Sequence, residues 1–445
     1  MAPPPGFRRV LSTFDATMVV IGGIIGAGIF INPYIVAQRL ESSALVLGAW
    51  IAGGLIALAG AFAYAELGSL IPRAGGQYVY LRRAFHPLAG FLYGWALLLV
   101  IESGAIAAVA ITFAQYALRA VGSTAQGTPL AIAAIVVVSA INYVGIRPGS
   151  RVLNVFVVLK VAALAALILA GALLPEPETV APRATTSTPF PALAFGAALV
   201  PIMFSYGGWQ QANYVAEEIR DPERNLPRAL IAGTLLVVLV YVLVNAIYLR
   251  ALGHPGLAQT MTPAADAAAR VAGPTGERLI SLAIAISTFG FLHLCVLAAP
   301  RVYYAMAADG VFFEGMARLH PRFRTPALAI VVQSTWAILL ALTGSYAQLV
   351  NYVVWADWIF FGLSGAALFV FRRRAPIASR PAGSYRSPGY PVVPALFVLA
   401  AVFVVTSVVR SSPAQAGLGA LLLATGIPVY GFWSRLRRDG TATGT

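Results

Sequence analysis

Apolar residues in this chain run in long continuous stretches, without the short alternations that mark the half-buried elements of a soluble core. Twelve stretches are long enough to cross a bilayer at about 20 residues per helix: 14–39, 44–70, 88–119, 128–147, 151–174, 191–217, 227–251, 277–308, 326–344, 346–371, 390–410 and 414–434. They predict an all-α membrane protein of about twelve transmembrane helices. Two of these stretches are interrupted by glycine, about 180 residues apart. One reads Met18-Val-Val-Ile-Gly-Gly-Ile-Ile-Gly-Ala-Gly-Ile-Phe30 and the other Pro201-Ile-Met-Phe-Ser-Tyr-Gly-Gly-Trp209. Glycine costs a helix roughly 1 kcal/mol relative to alanine. Backbone freed from helical bonding inside a membrane must then find partners in protein or in a water-lined cavity.

The interruptions fall in the first and sixth spans. Interrupted helices at corresponding places in two halves are the mark of a secondary transporter with its site near the midplane. Five spans per repeat is an odd number, so the second repeat starts from the opposite side of the membrane. That predicts an inverted repeat, 14–174 against 191–371, with two appended helices at 390–434 and tails at 1–13 and 435–445. The longest loops on one side are expected at 174–190 and 252–276, and on the other at 71–87, 218–226, 309–325 and 372–389. Gln77–Arg83 reads as a short amphipathic helix at the membrane surface.

Unwinding at Gly26-Ala27-Gly28 would open a second half-helix with free N–H groups, a favourable place for a carboxylate. Unwinding around Ser205-Tyr206-Gly207-Gly208 would offer carbonyl oxygens to an ammonium group. The pair suits a zwitterion. The alternative is that these glycines only let helices pack closely.

Composition agrees: 59% of the 445 residues are hydrophobic and 10% charged, with a mean hydropathy of +0.81. A net charge of +14 raises the question of nucleic acid, but its distribution answers otherwise. Of 29 arginines, 22 fall on the side carrying the N-terminus; the others are Arg39, Arg119, Arg183, Arg250, Arg270, Arg278 and Arg410. This is the positive-inside bias, which predicts a multi-pass protein with both termini cytoplasmic and a lipid bilayer as its partner, with no nucleic acid. Arg372, Arg373 and Arg374 follow a span directly, where a basic run meets anionic headgroups. No cleavable signal peptide is expected in Met1–Arg9. Cys295 is the single cysteine, so no internal disulfide forms.

Lys160 is the only lysine and lies mid-span, about nine residues from Arg151. A charge at that depth faces protein or water. It is a candidate coupling or gating group, and burial also suits a lysine to load and unload a proton. The remaining carboxylates within spans are Glu66, Glu102 and Asp357. Glu66 lies near Arg73 and reads equally as a gate or an ion pair, Glu102 as a proton relay or a satisfied structural group, and Asp357 as a gate. His293 reads as a core histidine. No cluster has metal-ligand spacing and no nucleophile–base set appears, so neither metal, cofactor nor enzyme chemistry is expected.

The stretches Gly22–Phe30 and Phe204–Trp209, followed by Glu217-Glu-Ile-Arg-Asp-Pro-Glu-Arg-Asn-Leu-Pro-Arg228, resemble the L-type amino acid transporter group of the amino acid–polyamine–organocation superfamily. The likeness runs from about residue 12 to about 436. It implies a twelve-helix, leucine-transporter-like fold that moves amino acids without sodium. By position it implies that backbone N–H groups of Gly26, Ala27 and Gly28 hold the substrate carboxylate. The carbonyls of Ile24, Phe204 and Gly207 would take the amine, with Phe204 as the aromatic outer gate. It implies as well that Lys160 stands in for a coupling sodium and braces the first helix against the eighth. The chain departs from the group at Ala27, where serine is frequent, and at Gln210, where animal members often have asparagine. No cysteine lies in 120–128, where animal exchangers bond an ancillary subunit. That implies a stand-alone protein of the bacterial inner membrane, without a disulfide-linked partner.

The expected activity is transport of neutral L-amino acids, by exchange or with protons; Ala27 and Ser205 leave room for a side chain without fixing its size. The alternative is a proton-coupled permease for cationic amino acids or polyamines, which the absence of a carboxylate at either interruption argues against. A channel would need rings of charge or a repeated filter loop, and neither is present.

Overall fold

The computed structural model describes residue 9 and residues 11–73, 75–144, 150–174, 191–323, 325–374 and 383–442, the side chains of 150–153 and 436–442 excepted. Residues 1–8 and 10 of the expected tail 1–13, most of the loop 174–190, and 375–382 lie outside the described residues, as does the side chain of Arg151.

The chain begins with α1 (Thr13–Ile24), whose N-terminus is fixed by a capping box. The Ser12 hydroxyl accepts from the Asp15 N–H at 3.2 Å, and the Asp15 carboxylate accepts from the Ser12 N–H at 2.9 Å. After a bend at 25–27 the same span resumes as α2 (Gly28–Arg39). Then follow α3 (Ser43–Leu70), α4 (Gln77–Ala84) and α5 (Pro87–Ala96), which passes through a π-helical stretch, Leu97–Ile101, into α6 (Glu102–Ala120). Next come α7 (Gly127–Val144), α8 (Ser150–Ala172), α9 (Ala192–Tyr206) and the single turn α10 (Gln211–Tyr214). The remainder is α11 (Pro222–Leu257), α12 (Pro263–Ala298), α13 (Pro300–Ala308), α14 (Ala327–Thr343), α15 (Tyr346–Arg374), α16 (Val392–Ser411) and α17 (Pro413–Ala442).

Among the described residues, ten helical segments are long and apolar enough to cross a membrane, and Ala192–Tyr206 and Ala327–Thr343 are shorter apolar helices. Together they occupy the twelve predicted positions. Leu235, Leu239, Leu399 and Leu421 are each more than half exposed, as lipid-facing leucines are, while Trp50, Trp209 and Trp358 are fully buried. The short helix expected at 77–83 is α4, but it is mostly buried, with Gln77, Tyr78, Tyr80 and Leu81 covered.

The loop expected at 252–276 is largely helical. Pro263–Ala298 starts outside the eighth span and kinks at Ala272 and Gly273. The run Ala264-Ala-Asp-Ala-Ala-Ala is a strong helix former behind a proline at the first helical position, yet too polar in its flanks to read as a span.

The two interrupted spans pack against each other. α1 lies on α10 and α11, and α2 lies on α9. Where they meet, Gly208 has φ +107°, and a Cβ there would fall against the Gly23 carbonyl. A Cβ on Gly28 would lie 2.6 Å from the Ser205 Cα. The backbones approach so closely that no larger residue fits at either place.

Candidate functional site

The interruption in the first span is real and local. Ile25 (φ −76°, ψ 80°) leaves the helix, and the helix restarts at Gly28. Gly28 and Ile29 therefore open a helical turn with no carbonyl in register below them. Gly26 differs from expectation, because its N–H donates to the Ile24 carbonyl at 2.8 Å. The Ile24 carbonyl also accepts from the Tyr241 hydroxyl at 3.0 Å. In this conformation it is engaged twice and offers nothing to an amine.

The second interruption begins later than expected. Ser205 and Tyr206 are still helical, and the chain unwinds from Gly207, which is extended at ψ 165°. The Phe204 carbonyl accepts from the Gly207 N–H at 3.3 Å. Gln210 holds the turn by accepting from the Gly208 N–H through Oε1 at 2.9 Å. Ser205 faces away from the open space: its hydroxyl donates to the Pro201 carbonyl at 2.9 Å and accepts from Asn32 Nδ2 at 2.8 Å.

Between the two interruptions lies a cavity of about 50 Å³, bordered by Gly26, Ala27, Gly28, Phe204 and Gly207 among others. At roughly 10–15 Å³ per water centre, it holds a few waters, on the order of 100 Å³ of liquid. Phe204 borders it. Its ring meets Tyr346 edge-on with centroids 6.2 Å apart, and the Tyr346 hydroxyl donates to Asn32 Oδ1 at 3.1 Å. The Tyr93 hydroxyl on α5 and the Tyr214 hydroxyl on α10 meet directly.

Lys160 is 4% exposed and donates from Nζ to the Ile25 carbonyl at 2.8 Å. The ammonium thus ties α8 to the bend in the first span. Cys295, on α12, is buried and borders the same cavity.

Glu102 and Asp357 both border the cavity, each buried, with Glu102 Oε1 and Asp357 Oδ1 lacking a hydrogen-bond donor among the described residues. The reasoning that no carboxylate attends the interruptions is corrected here. Helices distant in sequence bring two to the same space. Glu102 directly follows the π-helical stretch, and two carbonyls of that stretch also accept from side chains. Leu98 accepts from the Ser103 hydroxyl at 2.6 Å and Leu99 from the Trp336 indole at 2.6 Å.

Glu66 belongs to a different site. It pairs with Arg372, not Arg73, through Nε–Oε1 at 2.8 Å and Nη2–Oε2 at 2.5 Å, and accepts from the Ser387 N–H at 2.7 Å. His293 packs beside Asn142, 3.0 Å from its Nδ2, away from the cavity. Gln211, Phe291 and Val354 border the cavity and carry no motif that would have marked them; only the proximity of Gln211 to the second interruption was a signal.

The family model "Amino acid permease" matches residues 11–432. The chain belongs to the amino acid permease family. It is 31% identical to the serine/threonine exchanger SteT of Bacillus subtilis, over 96% of this chain and 97% of that one. It is 32% identical to the human b(0,+)-type amino acid transporter 1, over 91% of this permease and 84% of the relative. The human large neutral amino acids transporter small subunit 2 is 31% identical, over 95% and 80%. The permease is thus an amino acid transporter of the multi-pass membrane class.

Proposed function

We propose that this permease exchanges small neutral L-amino acids without sodium. The observation that carries the reading is a cavity of about 50 Å³ bounded by two facing backbone interruptions. The N–H groups of Ala27 and Gly28 take the substrate carboxylate, and the carbonyls of Phe204 and Gly207 take the ammonium. Gly26 and Ile24 contribute once their mutual bond and the Tyr241 contact give way. A cavity of this size suits alanine, serine or threonine, and the name of the Bacillus relative supports the same class. Lys160 supplies the fixed positive charge that a coupling sodium would bring. Residues 14–174 and 191–371 act as the inverted halves that rock about the site, with both termini cytoplasmic as the arginine distribution favours. The lone cysteine lies buried inside α12, which supports function without a disulfide-linked subunit.

The test is uptake of radiolabelled L-serine and L-alanine into proteoliposomes, with and without internal amino acid, sodium or an inward proton gradient. Uptake that requires internal amino acid and ignores both ions is the expected result. Uptake into empty vesicles driven by protons makes the permease a symporter instead. A second reading, transport of cationic amino acids or amines, is favoured by the Glu102 and Asp357 oxygens at the cavity wall. Competition by arginine or putrescine stronger than by serine selects it.

A further inference from the structure

The motif Glu217–Arg228 is only partly used by the fold. Its first half forms a parallel bridge with the N-terminal segment, Leu11 N–H donating to the Glu218 carbonyl and Arg220 N–H to the Leu11 carbonyl, each at 2.9 Å. Glu218 pairs with Arg301 at 3.2 Å. Its last two arginines do neither. Arg224 and Arg228 are exposed, and among the described residues neither guanidinium has an ion-pair partner.

They lie one turn apart on the first two turns of α11 and border a second cavity, about 280 Å³ in volume, together with Glu223, Ile231 and Tyr385. Glu223 subtracts one charge and the two arginines add two, so the cavity carries a net positive charge. The N-terminal end of a helix adds to it. Directly along α11, Leu235, Leu239 and Leu243 form an i, i+4 stripe, 54%, 56% and 41% exposed. Leu235 stands about 10 Å along the axis from Arg228 at 1.5 Å per residue. A basic cavity at the membrane edge thus opens onto an apolar strip that faces lipid. A soluble anion would use the first feature and leave the second idle.

We propose that this cavity binds the headgroup of an anionic phospholipid. Arg224 and Arg228 hold the phosphate oxygens, a geometry to which guanidinium forks are matched. One acyl chain lies along Leu235, Leu239 and Leu243. The site is separate from the central cavity and stands on the membrane placement of the chain alone.

Native mass spectrometry of the full-length protein in detergent, titrated with phosphatidylglycerol or phosphatidylcholine, tests it. Wild type is expected to retain one phosphatidylglycerol that the R224Q/R228Q double variant binds about tenfold more weakly. The R322Q variant, altered at another exposed arginine on the same side, is expected to behave as wild type. Phosphatidylcholine is expected to leave readily from all three. R224Q and R228Q singly, each with an intermediate loss, serve where the double variant does not fold. Equal retention of phosphatidylglycerol by wild type and these variants would overturn the proposal. So would displacement of the lipid by millimolar inorganic phosphate, which would make this a site for a free anion.

Discussion

Lys160 donates to a carbonyl that the bend at Ile25 has released, so side chain and unwound backbone satisfy each other in a medium that offers neither any water. Lys160→Ala removes the charge and leaves the Ile25 carbonyl unpaired, at a cost of about 1–3 kcal/mol. Serine exchange in proteoliposomes is expected to fall by tenfold or more at every pH, and unchanged exchange would remove Lys160 from the mechanism. This residue was legible because one lysine among 29 arginines at mid-span is a signal in one dimension. The partner of Glu66 was not. Arg372 lies 306 positions away, and only packing of α3 against α15 makes them neighbours. The Glu66 side chain is wholly buried and that of Arg372 is 17% exposed. Glu66→Gln strands a partly buried guanidinium, and a loss of about 3 kcal/mol in detergent-unfolding stability is expected.

At the scale of elements, both interruptions were readable because glycine alters the backbone where it stands. Their exact limits were not. Ser205 and Tyr206 remain helical because bonds to Asn32 and the Trp50 carbonyl hold their side chains inside the packed face. What the glycines secure is contact. Gly208→Ala combines an unfavourable positive φ with a Cβ thrust against the Gly23 carbonyl. It is expected to destabilise the protein by on the order of 2–4 kcal/mol. A thermal melt of the purified variant within a degree of wild type would mean that α1 and α10 separate more easily than their packing indicates. The cavity-lining Gln211, Phe291 and Val354 stayed invisible to sequence reading, because no local pattern distinguishes a residue facing a cavity from one facing a neighbour.

At the scale of the whole molecule, ion pairs and ring contacts tie helices together around the central cavity. On the side away from the N-terminus, Arg119 at the end of α6 joins Glu277 at 2.8 Å and also Asp266 and Thr262, tying the outer part of α12 down. Cys295, the only thiol, borders the cavity and reports on access to it. Arg119→Gln is expected to speed maleimide labelling of Cys295 about fivefold, as roughly 1 kcal/mol on an opening equilibrium would. L-Serine is expected to slow it again. Labelling at the wild-type rate would show that these ties do not control access to Cys295.

The π-helical stretch Leu97–Ile101 carries a further meaning for how this chain tolerates change in length. A π turn accommodates one residue more than an α-helix needs over the same rise. The third span therefore contains a spare. Removing one residue from Leu97–Ile101 lets the stretch relax to regular helix while Pro87–Ala96 and Glu102–Ala120 keep their faces. Removing one from the middle of α6 turns everything beyond it by about 100°. The first deletion is expected to express and fold, with transport altered through Glu102, and the second to be lost to misfolding. Among natural variants of this permease, single-residue length differences in the third span should gather at this one spot.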